Sequence, residues 1–478
     1  MNERTIRRVA IIGAGISGVV SAGHLLAAGI DVTVFERSEA AGGVWLYDKR
    51  VPIEAQYPCV KPSDAKHFSR DDRDENERQH LLHAPPGPCY ESLTNNVSTP
   101  LLRTTLSAWP EGTPPYVNHG VLKDYIQGTS RKAGVEDVTV YGALVTKAYK
   151  EGHQWHVFWK CLHKDSQTAS FTERESSAIF DAVVVASGHY HTPLIPDIPG
   201  LAEKKANWPS KITHSKSFRS SNGFEGKNVL LIGGGVSSVD IAREISPVAQ
   251  RIYQSTRNGA FDIPASALPQ NASRVEQVAA FKLLPSEKTD ERHLPIVACL
   301  VSGEEIRGID RIILCTGYQM TLPFLPQYND DTEATASDAV LVTDGTQIHN
   351  LHRDIFYIPD PSLVFVGIPF YTATFTLFEF QAIAVAAWFS GTAQLPSTEE
   401  MKAEYKDRKT AKGQGRAFHS LRGEEETYVK SLIDWVNAGR VSRGLDVLEG
   451  HTDSWREEKK SHIERLNLIF QGVIPYGN

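Results

Sequence analysis

Apolar positions along the chain gather into a few short uninterrupted runs, and two stretches show the same order of run, turn and helix. In the first, residues 9–12 form a run long enough for a buried strand, followed at once by Gly13-Ala14-Gly15-Ile16-Ser17-Gly18. Val19, Ala22, Leu25, Leu26 and Ala28 then recur at helical spacing, Gly29 stops the helix, and residues 32–35 read as a second buried strand ending in Glu36. The order returns at Asn228: residues 229–232 are a strand, Gly233-Gly234-Gly235-Val236-Ser237-Ser238 the turn, 239–245 the helix and 251–254 the next strand. Each stretch is a βαβ unit with the glycine spacing of a dinucleotide cradle.

The remaining periodicity is coarser. Residues 121–132 read as a helix with Val121, Leu122, Tyr125 and Ile126 as its apolar face. Residues 138–149 and 154–162 alternate like strands of a β-meander, and 181–186, 309–315 and 363–367 read as further buried strands. A helix is expected from about 379 to 389, whereas 90–110 lacks periodicity and reads as a loop. Residues 47–88, with the charged run 70–78, read as a solvated insertion, a lid over a pocket being the alternative. The charged tail from Thr398 reads as a solvated helical cover.

Composition adds bounds rather than detail. A chain of 478 residues holds two or three domains, and 41% hydrophobic with 22% charged residues is ordinary for a soluble globular protein. A net charge of -7 argues against a nucleic-acid-binding surface. Cys59, Cys89, Cys161, Cys299 and Cys315 are scattered without CxxC spacing, which fits a reducing compartment and speaks against a zinc site or a disulfide framework. MNERTIRR leads directly into the first strand, leaving no room for a signal peptide. The most apolar window, 375–389, is interrupted by Glu379 and Gln381, so no membrane span is expected and the reading is cytoplasmic.

The cradles themselves carry the chemistry. Gly13 permits the tight turn, Gly15 lets a pyrophosphate approach the backbone, and Gly18 lets the helix pack on the strand. The helix N-terminus then faces the phosphates with free N–H groups. Glu36 can accept hydrogen bonds from ribose hydroxyls and repels a 2′-phosphate, which favours FAD or NAD here. In the second cradle Gly233, Gly235 and Ser237 belong to the turn, and Ser255-Thr256-Arg257 stand where the first has its acid. An arginine flanked by hydroxyls suits a ribose 2′-phosphate, so this cradle is expected to take NADP(H); Arg257 as a plain surface charge is the alternative. Gly42-Gly43-Val44-Trp45 is a second flexible turn returning toward the first nucleotide, and Thr316-Gly317 trails the 309–315 strand much as Ser187-Gly188 trails 181–186.

In this order the motifs resemble the flavin-containing monooxygenases, the class B flavoprotein monooxygenases, from Val9 to about Pro396. The resemblance rests on both cradles, Gly42-Gly43-Val44-Trp45, Tyr90-Glu91-Ser92-Leu93 leading to Asn96, the segment from Trp208 through His214 to Phe218-Arg219, Cys315-Thr316-Gly317-Tyr318, and Glu379-Phe380-Gln381. Trp208 and Ser210 depart from the family's Phe and Gly, and Ser98-Thr99 from its Pro-Lys. Phe218 leans toward the flavin monooxygenases, which have Tyr there, and away from the Baeyer–Villiger relatives, which have Trp.

The resemblance implies an α/β fold of two Rossmann-like dinucleotide-binding domains, the NADPH domain (206–330) inserted in the FAD domain (1–205 and 331–478). It implies FAD on Gly13, Gly15, Gly18, Glu36, Gly43 and Trp45, and NADPH on Gly233, Gly235, Ser237, Ser255 and Arg257. Thr316, Gly317 and Gln381 complete the cofactor contacts, and Asn96 and His214 are the candidate catalytic residues. Asn96 is expected at the reactive edge of the flavin, with Asn95 taking its place after a one-residue shift. His214 is expected to orient the linker and nicotinamide rather than act as an acid, a satisfied structural histidine being the alternative. The helix starting near 376–379 is expected to point its N-terminus at the flavin pyrimidine. The implied reaction passes hydride from NADPH to FAD and forms a C4a-hydroperoxyflavin with O2, which oxygenates a small-molecule nitrogen or sulfur centre. Baeyer–Villiger oxidation of a ketone and an NADPH-dependent reductase without oxygen transfer are the alternatives, and a homo-oligomer is compatible with the sequence.

Overall fold

The computed structural model describes residues 6–69, 72–164, 171–285, 292–331 and 337–474. Strands β1 (Arg8–Ile12) and β2 (Asp31–Glu36) pair in parallel across α1 (Ile16–Ala27), which ends before Gly29 at φ 75°. Then follow α2 (Glu75–His83), α3 (His119–Lys132), β3 (Thr139–Tyr141), β4 (Ala143–Glu151), β5 (Gln154–Lys164), β6 (Phe171–Phe180), β7 (Ala182–Val185), β8 (Thr192–Pro193) and α4 (Leu201–Asn207). The middle of the chain supplies β9 (Ile212–His214), β10 (Asn228–Ile232), α5 (Val236–Ile245), β11 (Arg251–Ser255), β12 (Ala272–Val275), β13 (Val278–Leu283), β14 (Ile296–Leu300), β15 (Glu305–Ile306), β16 (Arg311–Leu314) and β17 (Tyr318–Gln319). Last come β18 (Leu351–His352), β19 (Phe356–Tyr357), β20 (Leu363–Phe365), α6 (Thr374–Phe389), α7 (Thr398–Lys412), α8 (Glu425–Ser442) and α9 (Asp453–Phe470).

Two parallel sheets organise these elements. The first has the order β18-β19-β20-β7-β1-β2-β3, with antiparallel pairing only at the β18-β19-β20 end; the second, β12-β11-β10-β16-β9, is parallel throughout. The second sheet is drawn entirely from chain lying between β7 and β20, so one Rossmann-like unit is inserted in another. Helices α1, α3, α6 and α8 bury one face of the first sheet, and the β4-β5-β6 meander covers the other, with Trp155 and Val157 packed on Phe35 and Val183. Helix α6 has no polar face, as a helix enclosed on all sides must. Helix α4 packs with the second unit, Leu201 lying in one cluster with Ile212 and Phe281, whereas Leu322, Phe324 and Leu325 pack beneath the first sheet.

Several expectations need correction. The run 138–149 is two strands, because Gly142 at φ 65° turns the chain between β3 and β4. Val121 is exposed on α3; Leu122, Tyr125 and Ile126 alone make its apolar face. Helix α6 begins at Thr374, five residues before the expected start. The insertion 47–88 is not a solvated excursion: Ile53, Ala55, Cys59 and Leu81 are buried, and Cys59 exchanges backbone hydrogen bonds with Ile195. Its charged run is in part helix α2, while Arg70 and Asp71 lie outside the described residues. The tail is more than a cover, since α9 bridges both units. Trp455 packs with Leu101 and Ala373 of the first unit, and Ile469 packs with Val239, Ile263 and Ala267 of the second.

Candidate active site

Both glycine turns open into one cavity of about 2800 Å³ between the two units. Single small-molecule pockets run to roughly 1,000 Å³, so this space accommodates more than one large ligand. In the first turn Gly13 holds φ 105°, and a β-carbon there would lie 2.6 Å from the Ala186 carbonyl oxygen. One on Gly18 would lie 1.8 Å from the Gly13 oxygen, which is why α1 can sit so close to β1. Gly15 and Gly43 face each other, a β-carbon on Gly43 falling 2.9 Å from the Gly15 Cα. Glu36 is 7% exposed and fixed from below: its Oε2 accepts from the Ala14 N–H at 2.7 Å and its Oε1 from the Ser38 N–H at 2.8 Å. Glu36, Gly43 and Trp45 all line the cavity; Gly18 does not, in keeping with its packing role.

The loop expected at 90–110 treats the two asparagines differently. The Asn95 side chain is buried, donating to the Val97 and Pro115 carbonyls at 2.7 and 2.8 Å and accepting from the Val117 N–H at 2.6 Å. The antiparallel bridge between Thr94 and Asn118 sets Asn96 opposite Tyr116, and both line the cavity. Asn95 also lines the cavity, but its amide is committed to the loop, whereas Asn96 is exposed.

In the second turn Gly233 holds φ 125°, with a hypothetical β-carbon 2.3 Å from the Cys315 oxygen, while Gly235 has open space in front of it. Ser237 is exposed in the first turn of α5. Ser238, in the place of a third glycine, is buried and turns its hydroxyl to the Gly235 carbonyl at 2.9 Å. Arg257 is exposed at the cavity wall, with no hydrogen-bonded or ion-paired partner among the described residues. Its neighbours differ from expectation. The Ser255 hydroxyl donates to the Glu276 carbonyl at 2.9 Å and accepts from the Val278 N–H at 3.0 Å, and the Thr256 hydroxyl donates to Asp262. Both hydroxyls are committed to the fold, whereas the arginine at the cavity wall has no such commitment among the described residues.

His214 lines the cavity but is tied down on both ring nitrogens. It is 1% exposed, its Nδ1 accepts from the Lys216 N–H at 3.1 Å, and its Nε2 donates to the Gly317 carbonyl at 3.1 Å. Burial, helped by the Lys216 charge, pushes its pKa down to about 3, so it stays neutral where it lines the cavity and braces the linker. Gly317 also accepts from the Leu194 N–H, and the Thr316 hydroxyl donates to the Leu194 carbonyl, so Thr316 and Gly317 fasten the two linkers where they line the cavity. Gln381 does not reach the cavity. It is fully buried, accepting from the Gly367 N–H at 3.0 Å and donating to the Tyr428 hydroxyl at 2.9 Å. Glu379 is likewise internal to α6, bound by the Thr105 N–H and hydroxyl and by His24; Thr374, Phe375 and Phe378 are the α6 residues at the cavity.

Two features escaped the sequence reading. Lys216 lines the cavity between the turns, donating to the His191 carbonyl at 2.7 Å, and burial with the charges of Arg37 and Arg219 lowers its pKa to about 7. Helix α9 brings Lys459, His462, Ile463 and Arg465 to the wall, Arg465 lying 4.5 Å over the Tyr116 ring. The signal for α9 was present in Trp455, Leu466 and Ile469, masked by the charges around them.

The fold and the open glycine turns fit dinucleotide cofactors, and comparison with known proteins agrees. The family model described as flavin-binding monooxygenase-like matches residues 6–55 and 86–268, omitting most of the insertion. The chain is similar to flavin-containing monooxygenase ustF2 of Aspergillus flavus, 48% identical over 95% of this chain and 96% of that one, and to ustF1 of the same organism, 44% identical over 96% and 89%. Among solved structures, S-allyl-L-cysteine S-oxygenase from Allium sativum superposes with a TM-score of 0.70 at 26% identity, covering 96% of this chain and 93% of that one. A two-cradle α/β fold matched along nearly its whole length by such relatives places this chain in the flavin-containing monooxygenase family.

Proposed function

We propose that the protein is an NADPH- and O2-dependent FAD monooxygenase that oxygenates the nitrogen or sulfur of a small molecule. The observation that carries this reading is the pairing, across one cavity, of a turn backed by Glu36 with a turn backed by Arg257. Residues 1–205 and 331–478 form the flavin unit and 206–330 the nicotinamide unit in this reading, the packing of α4 and of Leu322 drawing the inner limits somewhat earlier in the chain.

When bound, the flavin supplies the hydride acceptance and oxygen transfer that side chains cannot. The chain's own residues bind, orient and shield. Glu36 receives the ribose hydroxyls of FAD, and the backbone N–H groups at the start of α1 face its pyrophosphate. Arg257 holds the 2′-phosphate of NADPH, with Gly235 and Ser237 at its pyrophosphate. Asn96 offers an amide donor at the reaction face, and the α6 N-terminus at Thr374 adds partial positive charge. Trp45, Phe375 and Phe378 keep water out. The S-oxygenase among the structural relatives supports sulfur as the oxygenated centre.

The test is anaerobic mixing of the purified yellow protein with NADPH or NADH, followed by O2. Faster bleaching of the flavin by NADPH, and recovery of its colour that a thioether accelerates with formation of the sulfoxide, are expected. Reoxidation that no thioether or amine changes would refute oxygen transfer.

A further inference from the structure

Among the described residues, the wall of the cavity contributed by residues beyond 368 presents four cations, Arg416, Arg422, Lys459 and Arg465, and no carboxylate. Lys459 is paired with Glu425. Arg416 and Arg422 are different. Neither guanidinium has a hydrogen-bonded or ion-paired partner among the described residues; each lies instead against an aromatic ring, Arg416 at 5.6 Å from Phe261 and Arg422 at 4.2 Å from Tyr371. The acids that follow Arg422 are committed elsewhere: Glu424 to Lys412, Glu425 to Lys459 and the Ala373 N–H, Glu426 to Arg456. Phe261 and Tyr371 stack at 5.7 Å, so the four side chains form a ladder, Arg416–Phe261–Tyr371–Arg422, running from the first unit to the second and back. Tyr371 holds this place at φ 60°, a backbone conformation that a bulky residue adopts only where its surroundings impose it.

A planar guanidinium resting on a ring keeps its N–H edge free, and that edge matches a carboxylate in two parallel hydrogen bonds. The rings between the two arginines supply a flat apolar bed. We propose that Arg416 and Arg422 form an anion subsite and that the substrate is an organic carboxylate with an apolar body. This inference rests on the reading of the same cavity as a monooxygenase site. The carboxylate is held at the rim, and the nitrogen or sulfur is carried inward toward Asn96.

The test is isothermal titration of the flavin-loaded full-length protein with benzylthioacetate and with benzylthioacetamide, which differ only in the charged group. The acid is expected to bind at least about tenfold more tightly than the amide. The double variant R416Q/R422Q is expected to bring the two within about twofold while retaining the flavin content, melting temperature and NADP+ affinity of the parent. R416Q/R422K, which keeps one of the two charges, is expected to retain part of the preference that R416Q/R422Q loses. Equal affinity for the two probes, no binding of either, or a preference that survives the double substitution would overturn the proposal. So would a loss of NADP+ affinity with the preference for the acid intact, which would assign the arginines to a nucleotide phosphate. A protein that prefers the acid yet accepts no hydride from NADPH would leave this subsite standing and refute the monooxygenase reading instead.

Discussion

The two glycine turns share a fold and differ in what stands behind them. In the first, the acid at the end of β2 is buried and pinned by two backbone N–H groups, and a third glycine lets the helix touch the strand. In the second, the cation after β11 is exposed and has no partner among the described residues, and a serine fills the third glycine's place with its hydroxyl turned inward. The contrast teaches that the first turn fixes the charged group behind it in advance, whereas the second leaves its charged group exposed at the cavity wall. In the proposed function, a resident flavin in the first turn and an exchanging nicotinamide in the second call for that asymmetry.

The comparison breaks most completely at the tight packing of the first turn. Gly18→Val would drive side-chain atoms into the Gly13 carbonyl, and the expected outcome is a protein that retains no flavin, read from the ratio of visible to ultraviolet absorbance. Ser238→Gly in the second turn, where the helix already accommodates a side chain, is expected to leave flavin content at the parent level. Next in size is Arg257→Ala, which removes a charge-assisted contact to the 2′-phosphate. NADPH is expected to lose about tenfold or more in affinity while NADH is little changed, measured as the concentration dependence of anaerobic flavin bleaching.

The asparagines sharpen the first turn's side of the comparison. Asn95→Ala leaves buried backbone groups unsatisfied and is expected to cost about 1–3 kcal/mol in denaturant unfolding. Asn96→Ala is expected to leave the unfolding midpoint alone and to slow sulfoxide formation. The smallest effect concerns the linker that joins the two turns. His214 has a folded pKa near 3 against an ordinary value of 6.5, so the unfolded chain binds the extra proton between those limits. Its contribution to stability is therefore full above pH 6.5 and declines as pH falls, by about 1–2 kcal/mol on reaching pH 5. His214→Gln is expected to have a shallower fall in melting temperature over pH 6.5 to 5 than the parent, with no change in the pH dependence of flavin bleaching.

Much of this architecture was legible in the chain. The apolar runs at 9–12 and 229–232 with their glycines could fold only as strand, turn and helix, and Glu36 against Arg257 distinguished the two turns before any coordinates did. Reading the insertion 47–88 as solvent-exposed failed because its apolar residues, Ile53, Cys59 and Leu81, are too sparse to show periodicity; their partners, such as Ile195, lie far along the chain. Helix α9 was obscured for the converse reason, since a helix bridging two units buries one end on each and leaves a charged stretch between.

Local order in the sequence determined the two βαβ turns and the family, because strand length, glycine spacing and the residue after the second strand act within about thirty residues of one another. Tertiary structure alone decided that the Asn95 amide is committed to its loop, that His214 is buried between Lys216 and Gly317 and Gln381 lies off the cavity, that Ser255 and Thr256 are spoken for, and that Arg416 and Arg422 reach the cavity without an acid partner among the described residues. Those outcomes depend on which hydrogen-bond and charge partners are brought within about 3 Å by distant segments, and a donor's availability is a property of its neighbours rather than of its own place in the chain.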